Sequence, residues 1–242
     1  MHQISIWEKE TFFAPQDVII IGSGFVGLWA ALFLKKKKPK LKITIVDRGY
    51  IPTGASTRNA GFACFGSSSE LMHDVQQMGL DETLELVEMR FKGLSRITKY
   101  FDAELIDFEM CGGYELYEQN KITEDALRDN IHYLNSLLKP ITGTKKTFRL
   151  ADDKIAEFGF GKTQHLVKNN LEGYQHSGKL LKALLHKVQG MGVLVFNGIE
   201  VNEIESKNEG IVLNTDPHFS FSAKQILVCT NAFTKTLIPD ID

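Results

Sequence analysis

The sequence predicts an α/β fold: a mostly parallel sheet with flanking helices, interrupted by an inserted α+β subdomain. Three observations carry that prediction. A β-branched run, Val18 to Ile21, leads into a glycine turn and then into an apolar segment of helical length. A second short strand-like run, Lys42 to Val46, follows that segment and ends in an acidic residue. A third, Ile226 to Ala232, follows a middle region that mixes helix and strand patterns without a second glycine turn. Composition agrees: 43% of the 242 residues are hydrophobic and 24% charged, enough apolar material for one large domain or two small ones.

The first unit needs care, because Val18 to Leu34 is uncharged and precedes Lys35, Lys36, Lys37 and Lys38. A membrane span is opposed by its length, roughly 17 residues, at the short limit for a bilayer. Gly22, Ser23, Gly24 and Gly27 also break it where a strand would turn. The better division is a buried strand over Val18–Ile21, a turn, and a helix from Phe25 to Lys37. The lysines then form a solvated helix end, where cations suit the dipole.

The turn Gly22-Ser23-Gly24-Phe25-Val26-Gly27 reads G-x-G-x-x-G, a weak pattern alone but flanked here by the strand and helix it needs. Gly22 permits the tight turn, Gly24 lets backbone approach a pyrophosphate, and Gly27 lets the helix pack closely on the strand. The helix N-terminus offers free N–H groups to phosphates. Asp47, about 20 residues beyond the last glycine, is placed to accept hydrogen bonds from an adenosine ribose. Ala31 keeps the helix face small. These features predict a dinucleotide site but do not choose between NAD and FAD.

The next segment bears on that choice. Arg48 to Glu70 is long, small and polar, and lacks the immediate crossover usual in nicotinamide dehydrogenases. Ser56, Arg58 and Asn59 supply a hydroxyl, a fork of donors and an amide, and Gly61 allows close backbone approach. The strand–glycine–helix–Asp unit followed by GASTRNAGF resembles the FAD-dependent D-amino-acid oxidase-like family, which includes glycine, sarcosine and γ-glutamylputrescine oxidases. A second block, Leu171 to Glu205 and then ILVCTNA, extends the resemblance over most of the chain. It implies a Rossmann-like FAD-binding domain from residues 1–68 and 172–242, with a substrate subdomain over 69–171 inserted. The implied non-covalent FAD contacts are the six turn residues, Asp47 and Arg48, Ser56, Thr57, Arg58, Asn59, Ala60 and Gly61, with Val201 near the adenine and Thr230-Asn231 as a later motif. The resemblance implies a further C-terminal portion whose motifs do not appear in this sequence, so a partial enzyme is expected.

Glu70 to Phe101 gives two helices broken near Gly79, the second with a stripe of Leu84, Val87, Phe91, Leu94 and Phe101 that suits its own core better than a coiled-coil dimer. Glu104 to Glu118 suggests a hairpin around Gly112-Gly113. Thr123 to Leu138 suggests a helix ending before Pro140, and Thr147 to Leu150 a short strand. Ser177 is placed as the N-cap of a helix whose apolar face is Leu180, Leu181, Leu184, Leu185 and Val188.

Other chemistries are disfavoured. Gly173 to Lys179 mimics a P-loop but has Leu180 where a Mg²⁺-holding Ser/Thr is required. Gly161-Lys162-Thr163 lacks the first glycine. Seven histidines and three cysteines show no metal spacing; Cys229, within a strand run, reads as a small buried residue rather than a nucleophile, and Cys64, following the flavin-like loop, is placed where it could contact the cofactor. A net charge of −2 argues against nucleic-acid binding. The first residues carry no apolar signal region, so a cytoplasmic location is expected. The resulting expectation is oxidation of the C–N bond of an amine or amino acid by hydride transfer to flavin, with no catalytic residue nominated. A non-catalytic nucleotide-binding fragment and a NAD-dependent dehydrogenase are the alternatives.

Overall fold

A computed structural model describes residues 4–208, 210–216 and 219–241. Along the chain run α1 (Ile6–Thr11), β1 (Gln16–Ile21), α2 (Phe25–Lys37), β2 (Ile43–Asp47) and β3 (Phe62–Ala63). Next come α3 (Ser68–Met78), α4 (Leu80–Tyr100), α5 (Ala103–Ile106), β4 (Gly113–Glu118) and α6 (Glu124–Thr142). Then follow β5 (Phe148–Leu150), α7 (Ile155–Phe158), β6 (Thr163–Asn169), β7 (Gly173–Tyr174) and α8 (Ser177–Gly190). The series closes with β8 (Leu194–Asn197), β9 (Glu200–Lys207), β10 (Gly210–Asp216), β11 (Ser220–Val228) and α9 (Thr234–Leu237). The chain divides into two compact units, residues 1–59 with 177–242 and residues 60–176. These boundaries differ by several residues from the 68/69 and 171/172 expected.

The first unit is the predicted α/β layer structure. Its sheet has the order β8-β2-β1-β11-β10-β9. Strands β8, β2, β1 and the second half of β11 are parallel. Ile19, Ile20, Ile43, Ile45 and Val46 are buried, as strands covered on both faces require. β11 also pairs antiparallel with β10 through Ser220 to Ala223, so Ala223 faces Gln16 on one side and Ile211 on the other. Helix α2 spans the predicted residues and buries Leu28, Ala31 and Leu32. Lys35 departs from the solvated reading: it is 8% exposed and donates to the carbonyls of Pro39 and Leu41, holding the turn after the helix.

The second unit packs α3, α4 and α6 on a sheet of order β4-β6-β5. Val87 and Leu94 of α4 join Leu127, Ile131, Leu134 and Leu138 of α6 in one core, so the α4 stripe serves its own unit. Two expectations fail here. The 104–118 hairpin does not form: 103–106 is helical, and β4 pairs with β6 instead. The glycines serve close contact, since the Gly112 N–H donates to the Glu172 carbonyl and a Cβ at Gly113 would lie 2.4 Å from the Glu172 carboxylate. Helix α6 also continues through Pro140 to Thr142 and ends at Gly143, φ 75°. Pro140 is exposed in the last turn, where water can satisfy the freed carbonyl of Ser136. Among the described residues no helix is long and apolar enough to cross a membrane.

Candidate functional site

The site in the first unit begins where β1 ends. Gly22 takes φ 109°, its N–H donates to the Val46 carbonyl, and a Cβ there would lie 2.5 Å from the Cys229 carbonyl oxygen. The Cys229 N–H in turn donates to the Ile21 carbonyl at 2.8 Å, so the end of β11 is locked against the turn. At Gly27 a Cβ would fall 2.0 Å from the Gly22 carbonyl oxygen. Only glycine lets α2 approach this closely.

Gly24 is the N-cap of α2 and supplies no side-chain cap. The Ser56 hydroxyl takes part of that role, accepting from the Phe25 N–H at 2.9 Å, and a Cβ at Gly24 would lie the same distance from that hydroxyl. The other first-turn N–H groups have no intrahelical acceptor. Val26 is exposed at this end of the helix.

Asp47 stands beside the turn. One carboxylate oxygen accepts from both the N–H and the hydroxyl of Ser23 at 2.7 Å, and the other accepts from the Gly49 N–H at 2.9 Å. A carboxylate has about four acceptor positions, so about one remains for a ligand. Ser23 therefore does more than fill the turn, because its hydroxyl fixes the carboxylate. Arg48 is exposed, its guanidinium 4.1 Å from the centre of the Phe233 ring. Phe233 ends the 3₁₀ turn Asn231–Phe233, in which Asn231 has φ 53°. Thr230 precedes it, its hydroxyl 3.0 Å from that of Thr234. The N–H of Ile199 donates to the Asp47 carbonyl and that of Gly198 to the Gly49 carbonyl. Val201, two residues on, is buried opposite Thr215. The glycine turn, Asp47, Arg48, Thr230 and Asn231 thus gather at the C-terminal edge of β1, β2 and β11.

The expected loop is largely exposed around a 3₁₀ turn, Ala55–Thr57. The Thr57 hydroxyl donates to the carbonyls of Pro52 and Gly54. The Asn59 amide donates to the carbonyls of Ala55 and Ser56 and accepts from the Ser177 hydroxyl at 2.6 Å. Ser177 is the first helical residue of α8 rather than the residue before it, and its hydroxyl donates to Asn59. The Arg58 side chain is exposed. Ala60 and Gly61 open the second unit, where Gly61 has φ 75° and its carbonyl accepts from the Gln175 N–H.

Sequence reasoning passed over several polar groups of the second unit. Glu172 is 7% exposed, and one of its oxygens accepts from the N–H groups of Phe65 and Gly66. Burial is the main force raising its carboxyl above the usual range; the two N–H donors oppose it. Glu115 accepts from the hydroxyls of Ser68 and Ser69 and from Tyr117. Burial pushes the Tyr117 hydroxyl up to about 12. His165 is buried with Nδ1 2.8 Å from Asp152, and its Nε2 has no partner among the described residues. No sequence motif marks these groups, because their partners are far apart along the chain. Burial raises the thiols of Cys64 and Cys229, which disfavours the reactive thiolate at both. Among the described residues no three His, Cys, Asp or Glu side chains are grouped to hold a metal. His2 and His218 lie outside the described residues.

Comparison with known proteins adds a family. The family model described as FAD dependent oxidoreductase matches residues 17–242. The chain is 24% identical over 227 residues to an L-2-hydroxyglutarate dehydrogenase of Indibacter alkaliphilus, covering 90% of this chain and 51% of that protein. It is 25% identical over 228 residues to the probable oxidoreductase OrdL of Haemophilus influenzae, covering 91% and 50%. Its fold is similar to that of glycine oxidase from Geobacillus kaustophilus, with TM-score 0.67 and 19% identity over 92% of this chain and 57% of that one. The chain spans about half the length of the two curated relatives it matches here.

Proposed function

The chain belongs to the FAD dependent oxidoreductase family, and on that premise we propose that it oxidises the C–N bond of an amine or amino acid with non-covalently bound FAD. The observation that carries the cofactor part is the Gly22–Gly27 turn with Asp47 beside it. The residues present fit an adenine dinucleotide. The helix start lacks a cap of its own, the turn has no room for Cβ atoms, and the adjacent carboxylate keeps acceptor capacity.

In this reading the first-turn N–H groups of α2 bind the pyrophosphate, and Asp47, steadied by Ser23, accepts from the adenosine ribose. Arg48 and the Thr230-Asn231 turn border the same edge. Val201 supports the adenine side from the core. Ser56, Arg58 and Gly61 serve the ribityl and ring portion, while Thr57 and Asn59 act by holding the loop in shape. The chemistry supplied by bound FAD is acceptance of a hydride from the substrate carbon. The chain's own task is to hold and orient the cofactor and to bring the substrate to it.

The fold likeness to glycine oxidase supports the C–N assignment. The L-2-hydroxyglutarate dehydrogenase relative supports a second reading, oxidation of a C–O bond in a hydroxy acid. FAD titration of the purified chain tests the cofactor: bands at about 370 and about 450 nm should follow the protein through gel filtration and leave it on denaturation. A colourless protein unaffected by FAD would refute the reading. Anaerobic bleaching by amines but not by 2-hydroxy acids would select the first reaction over the second.

A further inference from the structure

Arg48 and Phe233 meet from opposite sides of β1, within the first unit. In the sheet β1 lies between β2 and β11, and Ile21 stands level with Val46 on one side and with Val228 on the other. Gly22 follows Ile21, Arg48 comes two residues after Val46, and Phe233 comes five after Val228. Adjacent strands lie about 4.8 Å apart, so β2 and β11 are separated by about 10 Å. The Arg48 guanidinium nevertheless stands 4.1 Å from the centre of the Phe233 ring. The two side chains therefore close that gap at the end of β1, where the Gly22 turn starts.

Both partners stand on backbone that is tied down. The Asp47 carbonyl accepts from the Ile199 N–H and the Gly49 carbonyl from the Gly198 N–H, so the residues on either side of Arg48 are held. On the other side, the Phe233 N–H donates to the Thr230 carbonyl at 3.1 Å and the Thr234 hydroxyl to the Asn231 carbonyl at 2.8 Å. Leu237 of α9 then packs on the core beneath the sheet. A ring laid on the face of a guanidinium leaves the N–H donors in its plane unused. Among the described residues Arg48 has no carboxylate partner.

We propose that Phe233 is a positioning residue: it holds the Arg48 guanidinium at the Gly22 turn, so that the in-plane donors take an oxygen of the dinucleotide's pyrophosphate. The first-turn N–H groups of α2 are neutral donors, and Arg48 adds a full positive charge to them. The ring's contribution is to order a long side chain before the ligand arrives, which lowers the entropy lost on binding. The proposal rests on the reading of the Gly22 turn as a dinucleotide site. It gives the pyrophosphate a cation that the glycine pattern itself does not contain.

The test is calorimetric titration of the whole chain with ADP, which carries the diphosphate, and with adenosine, which lacks it. Arg48→Gln should weaken ADP about tenfold, as for one charge-assisted hydrogen bond, and leave adenosine unchanged. Phe233→Leu should weaken ADP about two- to fivefold, the size of an exposed cation–π contact, and Phe233→Tyr should restore it. In the Arg48→Gln background, Phe233→Leu should have no further effect, because the ring acts through the guanidinium. Equal melting temperatures without ligand verify the fold, since Phe233 is 56% exposed. Undiminished ADP binding to either variant, an equal loss for adenosine, or a Phe233→Leu effect that persists beside Arg48→Gln would overturn the proposal. FAD titration of the wild type separates the two readings. A chain that retains FAD with any of those outcomes sinks the pair alone, whereas one that binds neither FAD nor ADP removes the dinucleotide site and the pair with it.

Discussion

Asp47 and Glu172 perform the same task in the two units and differ in nearly everything else. Each carboxylate gathers donors from a bend that follows a strand. Asp47 takes its donors from Ser23 and Gly49, at sequence separations of 24 and 2. Glu172 takes Phe65 and Gly66 at separations of 107 and 106. Asp47 is partly exposed and retains acceptor capacity, whereas Glu172 is buried against Gly113. A partly exposed carboxylate with acceptor capacity left can serve a ligand; one buried on the backbone of its own unit serves the architecture.

That contrast can be broken most severely at the glycines. Gly27→Ala would put a methyl 2.0 Å from a backbone oxygen that cannot move aside cheaply. It should cost about 3 kcal/mol or more of stability and abolish FAD retention; thermal melting with and without FAD measures both. Glu172→Ala comes next. Two buried N–H groups lose their acceptor and a cavity opens, for a loss of about 3 kcal/mol in urea denaturation with no direct effect on FAD affinity per folded molecule.

The pH dependence sharpens the same comparison. The Glu172 carboxyl is raised in the folded state above its usual 4.5, so the folded protein binds its proton more tightly than the unfolded chain does. The stability from this group is complete below pH 4.5 and is lost as pH rises through the raised value. Wild type should therefore lose stability relative to Glu172→Gln across that interval; parallel curves would contradict the assignment.

Asp47→Ala should weaken FAD by about 1–3 kcal/mol through loss of charge-assisted bonds, read by titration at 450 nm or about that wavelength, with a smaller fall in melting temperature as Ser23 and Gly49 are released. Ser177→Ala removes one hydroxyl from Asn59 and should cost about 1 kcal/mol. If it weakened FAD as much as Asp47→Ala does, Asn59 would be a ligand contact rather than a support for the loop.

How much was legible follows from these separations. The β1–α2–β2 unit could be read to within two residues, because turn, helix packing and acidic residue depend on neighbours within one short stretch. The α4 and α6 stripes were legible for the same reason. The hairpin at Gly112-Gly113 was misread because glycine marks close approach as well as reversal, and here the approaching group is Glu172. Pro140 misled because the cost of proline shrinks in an exposed last turn. The strands β6 and β10 were passed over. The buried Glu172 carboxylate carries no local signal at all: its Phe65 donor lies 107 residues away.

The strand β11 has one more consequence. Lys224 of β11 reaches Asp17 of β1 across 207 residues, and the intervening chain includes all of residues 60–176. During synthesis β1 leaves the ribosome long before its central neighbour exists. The second unit can close first from contiguous chain, while the first waits with one flank of β1 bare. Slow translation beyond residue 176 would prolong the interval in which that flank of β1 is unpaired.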